Sequence, residues 1–217
     1  MSLSGLLSIS TSRLVLLALF AVSDVAAEDK TASWDFRVYL DGKPIGYHHF
    51  SLVRSGERSE LHSDAQFDVK VLFINAYHYE HHAVERWQGN CLQNLSAYTD
   101  DNGKLSTVSA ALEGDALLVT SRQHYSLRNC VMSFAYWNPR MLSQGRLLNA
   151  QTGEYEPVQI KMVDAVPLQV RGVEQPSRHY RLAGAKLSID LWYSPDDDWL
   201  ALESTTENGR RLRYQLQ

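Results

Sequence analysis

The chain has little of what usually betrays a function. It contains no run of lysine or arginine, and its formal net charge is −4. That balance excludes nucleic acid or an anionic membrane surface as the main partner. The apolar run before the folded part, Leu14 to Val22, is nine residues long, against roughly 20 needed to cross a bilayer. There is no G-x-S-x-G elbow to carry a nucleophilic serine, and the paired acids Asp100–Asp101 and Asp196–Asp198 fall in turn sequences. "DDNG" and "PDDD" lack the spaced ligands of a calcium loop. No residue set therefore points to catalysis, and none asks for a cofactor.

The short apolar run has a different use. Arg13 is the only charge before it, and Val25 and Ala27 follow as small residues in "SDVAAEDK". A basic start, a short apolar stretch and a small-residue cleavage site predict a secretory signal over residues 1–27, with the mature chain beginning at Glu28. No cysteine follows the run, which argues against a lipoprotein anchor. The remainder, 28–217, fits one domain, and the expected location is the periplasm.

Cysteine is scarce too: Cys91 and Cys130 are the only two. Their spacing rules out a C-x-x-C redox pair. In an oxidising compartment an even count predicts a disulfide, with two buried free thiols as the alternative.

What the chain does have is alternation. In "WDFRVYL", Trp34, Phe36, Val38 and Leu40 alternate with Asp35, Arg37 and Tyr39, the period of a strand with one wet face. "DGKP" supplies a turn, so residues 34–53 predict a hairpin. "LHSDAQFDV" alternates again, and turn signals recur at "DDNGK", "EGD", "TGE", "SPDDD" and "ENG". Between them lie short segments rich in β-branched and aromatic residues, such as "LSTVSAAL", "KLSIDLWY" and "RLRYQL". The expected fold is mainly β: a single antiparallel sheet, strongly curled or closing as an open barrel, with one or two short helices. The helix candidate is residues 138–150, where Asn138 caps and Pro139 takes the first position.

Two segments stand out. "AYHYEHHAVERW" places His78, Glu80, His82 and Arg86 on one face of a strand and Tyr77, Tyr79, His81, Ala83 and Trp87 on the other. His78, Glu80 and His82 could bind zinc or copper with a further ligand from another strand. The competing reading is cross-strand polar pairing on a solvent face, with His49, Glu57 or Asp68 as partners. The second segment, "NCVMSFAYWNPRML", gathers Phe134, Tyr136 and Trp137 before breaking at Asn138–Pro139. It reads either as a core strand ending in a cap or as the aromatic lip of a ligand cavity. With Trp192 and Tyr193, these residues are the candidate ligand-binding set.

The stretches "LDGKPIGYHHF", "SFAYWNPRML", "LLNAQTGEYEPV" and "IDLWYSPDDDWLAL" together resemble a proteobacterial family of exported proteins classed as a domain of unknown function. The resemblance spans the chain from about Trp34 to its end. It implies an exported, β-rich periplasmic protein and carries over no catalytic residue. More loosely, "IGYHHF" and "DLWYSPDDDWLALES" are similar to periplasmic curled-sheet proteins, among them lipoprotein carriers that hold acyl chains on a concave apolar sheet. The function expected from this is binding or carriage of a lipid or other hydrophobic ligand. The alternatives are a metal-binding protein and a ligand-free envelope scaffold.

Overall fold

The structure, a computed structural model, describes residues 29–71, 74–185, 187–206 and 208–217. The expected signal segment lies outside these residues. The first eight strands form a continuous meander: β1 (Lys30–Leu40), β2 (Lys43–Ser55), β3 (Arg58–Val71), β4 (Ile74–Gln88), β5 (Cys91–Asp101), β6 (Lys104–Glu113), β7 (Ala116–Thr120) and β8 (His124–Arg128). A long connection carries the small hairpin of β9 (Arg146–Leu148) and β10 (Tyr155–Pro157). The remaining strands are β11 (Gln159–Asp164), β12 (Leu168–Val170), β13 (Val173–Gln175), β14 (Arg178–Ala183), β15 (Ser188–Tyr193), β16 (Trp199–Thr205) and β17 (Arg211–Leu216).

Thirteen of these strands make one sheet in the order β11-β14-β15-β16-β17-β1-β2-β3-β4-β5-β6-β7-β8. Every ladder in it is antiparallel. The last strand, β17, pairs with the first, and β8 and β11 are the two edges. The sheet curls hard. β16 and β2 are three strands apart, about 14 Å on a flat sheet, yet the rings of Trp199 and Phe50 close to 5.1 Å. The expected open, curled antiparallel barrel is what the chain forms.

Alternation places the faces as the sequence indicates. Trp34, Phe36, Val38 and Leu40 are buried, while Asp35 and Arg37 face water. One glycine is indispensable to this packing. Gly46 lies opposite Phe67 where β2 pairs with β3, and a Cβ there would sit 1.8 Å from the Gln66 carbonyl oxygen.

The helix expected over 138–150 is shorter and tighter than predicted, a 3-10 turn at Pro139–Ser143. Its cap is as read: the Asn138 side chain accepts from the Arg140 amide, and proline opens the turn. The helix goes no further because tertiary pairing claims the next residues. Leu148 donates its amide to the Met132 carbonyl and accepts from the Phe134 amide, which requires extended backbone. Leu147 and Leu148 are fully buried as a result.

The connection from Asn129 to Val158 enters the barrel and fills it. It is pinned at its start by the Cys91–Cys130 disulfide, with Cα atoms 4.9 Å apart, and by the Leu92 amide donating to the Val131 carbonyl. Val131, Met132, Ala135, Trp137, Met141, Leu147 and Leu148 all join the single core cluster. Small residues on the inner face of β3 to β5, namely Ser63, Ala65, Ala83 and Ala97, leave room for that filling and are themselves buried.

Candidate functional site

The filling stops short at one end of the barrel. There the tip of the β9–β10 hairpin, Asn149 to Glu154, leans across β5 to β8 and leaves a cleft of about 930 Å³. The tip is built by local chemistry. Asn149 Oδ1 accepts from the Gln151 and Thr152 amides, and the Gly153 amide donates to the Asn149 carbonyl. Gly153 has φ +74°, and an added Cβ would meet the Ser121 Cβ at 2.5 Å, so glycine is needed for both turn and contact. Ser106 Oγ donates to the Gln151 carbonyl at 3.2 Å, and the Tyr125 hydroxyl donates to the Gly153 carbonyl.

Thr99, Ser106 and Ser121 line the sheet side of the cleft, and Gln151, Thr152 and Tyr155 line the hairpin side. Behind Thr99 lies buried His81, whose Nδ1 is 2.9 Å from Thr99 Oγ1. Burial lowers the His81 pKa to about 4, so this ring is a neutral hydrogen-bonding group at neutral pH. Five charged side chains line the cleft. Asp101 accepts from the Tyr77 hydroxyl at 2.7 Å, and burial followed by that carboxylate raises the phenol above its usual range. Glu154, Lys104 and Arg122 are exposed. Arg146 donates to the Tyr155 carbonyl, and its guanidinium lies 4.9 Å from the Tyr155 ring centroid.

The residues singled out from the aromatic segment lie elsewhere. Tyr193 is fully buried and donates to the Tyr136 carbonyl at 2.7 Å. Tyr136 packs against Trp199, and Phe134 against Tyr136. Trp137 stands edge-on to Trp87 at 5.6 Å under the guanidinium of Arg54. Asn138 donates to Asn90 Oδ1. Trp192 faces the other way, stacked on His179 at 4.6 Å, because neighbours in a strand point to opposite faces. Five of the six therefore belong to the barrel filling and the sixth to the outer face; none lines the cleft.

The histidine-rich stretch resolves as β4, with His81, Ala83 and Trp87 buried and His82 and Arg86 exposed. His78 Nδ1 lies 2.9 Å from Asp68, and His82 lies 2.6 Å from Asp64 and 2.7 Å from Glu80. Register sets Asp35, His49, Asp64 and His82 side by side on four adjacent strands. Hydrogen bonding to their carboxylates raises both His78 and His82 above the usual imidazole range. His78 and His82 are four residues apart, about 13 Å along a strand, so with Glu80 they do not converge on one point. Among the described residues no three His, Cys, Asp or Glu side chains are placed to hold a metal ion.

A further pairing escaped sequence reasoning. His48 Nε2 is 2.8 Å from Ser63 Oγ, and His48 Nδ1 is 3.4 Å from the Tyr214 hydroxyl. His48 is stacked on Phe50 at 4.0 Å, and burial holds it well below the usual imidazole range. Ser63 is 6% exposed, so this serine–histidine pair is a hydrogen-bonded element of the core.

An open antiparallel barrel with an internal strap and a lateral cleft is thus the class to which the molecule belongs. The chain is a member of a family described as a domain of unknown function, DUF6134, whose match covers residues 36–217. No curated protein matches it. Among solved structures it is similar to a β-barrel-like protein of the DUF1849 domain of unknown function from Brucella abortus. That likeness has a TM-score of 0.64 at 9% identity and covers 89% of this chain and 98% of the other. It concerns the fold. Among the described residues, no helix is long and apolar enough to cross a membrane.

Proposed function

We propose that the protein is an exported binding protein of the periplasm whose ligand occupies the cleft beside the β9–β10 hairpin. The observation that carries this is the contrast within one barrel: an interior closed by its own side chains, and one end left open over about 930 Å³. The volume lies at the upper end of the roughly 300–1,000 Å³ typical of ligand clefts. The walls combine fixed tyrosines with hydroxyl, amide and charged groups, which suits a ligand with polar groups of its own. Export is supported by the signal-like residues 1–27.

The expected hydrophobic ligand fits such a site only if it is amphipathic, with its polar part in the cleft. A purely hydrocarbon ligand would strip water from the cleft hydroxyls and charges without replacing their hydrogen bonds. Native mass spectrometry on protein purified without detergent tests the reading. A co-purifying mass should be present in the wild type and absent from Gln123→Trp, which sets an indole across the cleft mouth. An acyl lipid retained by that variant would return the ligand to the barrel interior and end the cleft reading.

A further inference from the structure

We infer that the cleft takes an anionic oligosaccharide, an inference that rests on the cleft-binding reading and names its ligand class. The aromatic elements come first. Tyr125 is tethered through its hydroxyl to the Gly153 carbonyl, and Tyr155 is held by Arg146 through the backbone and across its ring. Such rings do not need to be ordered on binding, and a fixed aromatic face is the partner that the C–H face of a pyranose stacks on.

Hydrogen-bonding capacity points the same way. Thr99, Ser121, Thr152, Gln123 and Gln151 offer hydroxyls and amides that both donate and accept, matching a dense array of sugar hydroxyls. An extended peptide would find main-chain partners on one strand only: β5 is paired on both sides, whereas Lys104–Val108 of β6 pair with β5 alone. A hydrocarbon chain would leave the polar groups unsatisfied.

Charge then selects among saccharides. Lys104 and Arg122 sit on the β5–β6 and β7–β8 turns at the same end of the barrel. Among the described residues neither has a carboxylate within ion-pair distance, whereas Arg86, Arg128, Arg178, Arg181 and Arg210 each have one. Arg146 is a third cation of the lining, bonded to the Tyr155 carbonyl, and Asp101 and Glu154 are the opposing charges. Three cations against two acids, with Lys104 and Arg122 outside any ion pair, favour a ligand bearing carboxylate or phosphate groups. The volume exceeds what one monosaccharide fills.

Isothermal titration calorimetry with three probes decides the matter: trigalacturonate, neutral maltotriose and a peptide of three glutamates. Trigalacturonate should bind at least tenfold more tightly than maltotriose and weaken with added salt. The Lys104→Ala/Arg122→Ala double variant should lose tenfold or more, and Glu154→Gln should bind a few-fold more tightly. All three side chains are exposed, so folding is not at issue. Equal binding of maltotriose, indifference of the double variant, or no binding of trigalacturonate overturns the inference. Binding of the glutamate peptide that Gln123→Trp abolishes overturns it too, while leaving the cleft-binding reading intact. A co-purified ligand that survives Gln123→Trp removes both.

Discussion

Glu85 offers a direct test of how closed the barrel interior is. It projects inward from β4, is 5% exposed, and accepts from Trp87 Nε1 at 3.2 Å, with the Ser133 hydroxyl also beside it. Burial raises its pKa from 4.5 to about 7. Below pH 4.5 the carboxyl is protonated in both the folded and the unfolded chain, and it contributes nothing to pH dependence. Between pH 4.5 and 7 the unfolded chain ionises while the folded one keeps its proton, so folding becomes less favourable as pH rises. Above pH 7 both are ionised and the deficit is constant, on the order of 3 kcal/mol.

Glu85→Gln removes the titration and keeps an oxygen to accept from Trp87. Urea unfolding of both proteins at pH 4.5, 6 and 8 isolates the effect. His78, His82 and every other titrating group are common to the two chains and cancel. The variant should gain on the wild type by roughly 3 kcal/mol between pH 4.5 and 8, whatever the offset at pH 4.5. A gap that stays constant within about 0.5 kcal/mol would mean that water reaches Glu85, and the closed interior would have to be given up.

Reduction of the Cys91–Cys130 bridge, whose partners are 39 residues apart, should cost about 4 kcal/mol on the chain-entropy model. Calorimetry with and without a phosphine reductant should show Tm falling by about 8–16 °C in a domain this size; an unmoved Tm would show that the bridge does not constrain the chain. Gly46→Ala must push β2 off β3, because its Cβ would lie 1.8 Å from the Gln66 carbonyl oxygen. A loss of roughly 3 kcal/mol or more is expected in the urea midpoint, and a loss under about 1 kcal/mol would contradict the close approach. His82 draws its raised pKa from Glu80 and Asp64, so the stability from this pairing is present at low pH and fades as pH rises through the folded-state value. In Asp64→Asn the His82 titration followed by NMR should move down; an unchanged titration would place Asp64 outside the pairing.

How much of this could be read beforehand depends on which residues see only their own strand. The faces of β1 and β4 follow from parity, so Phe36, Val38 and Trp87 could be placed inside, and of the three neighbours expected for the polar face Asp68 pairs with His78. Asn138 and Pro139 declared a cap because capping is local. The disulfide followed from the cysteine count and the expected compartment. The strap was harder. From Val131 to Leu148 it turns repeatedly, with Arg140, Ser143, Gly145 and Arg146 exposed between buried Trp137, Met141 and Leu147, so its apolar residues carry no period and resemble a strand, a helix or a pocket lip equally. Trp192 and Tyr193 both fall in the candidate ligand-binding set, although parity sends them to opposite faces. The cleft was out of reach, since Gly153 meeting Ser121 and Tyr125 reaching the hairpin tip depend on contacts 28 or more residues apart. The turn signal "TGE" marked the tip and nothing in it pointed to a partner.

The filled interior and the open cleft are two consequences of one design. For a ligand to enter the barrel itself, the strap would have to withdraw Met132, Trp137, Met141, Leu147 and Leu148, each at most 5% exposed. Exposing side chains of this size costs roughly 2 kcal/mol apiece, so emptying the barrel costs on the order of 10 kcal/mol. That is comparable with the whole stability of a domain, before the disulfide and the Tyr193–Tyr136 hydrogen bond are broken. A ligand binding at micromolar strength supplies about 8 kcal/mol and could not hold the strap out. The same strap, by filling the middle of the barrel, is what carries the β9–β10 hairpin to its end and fixes the tip against Ser106 and Tyr125. The proposed ligand is therefore confined to the space between that tip and the sheet, where the walls are already in place and little has to move.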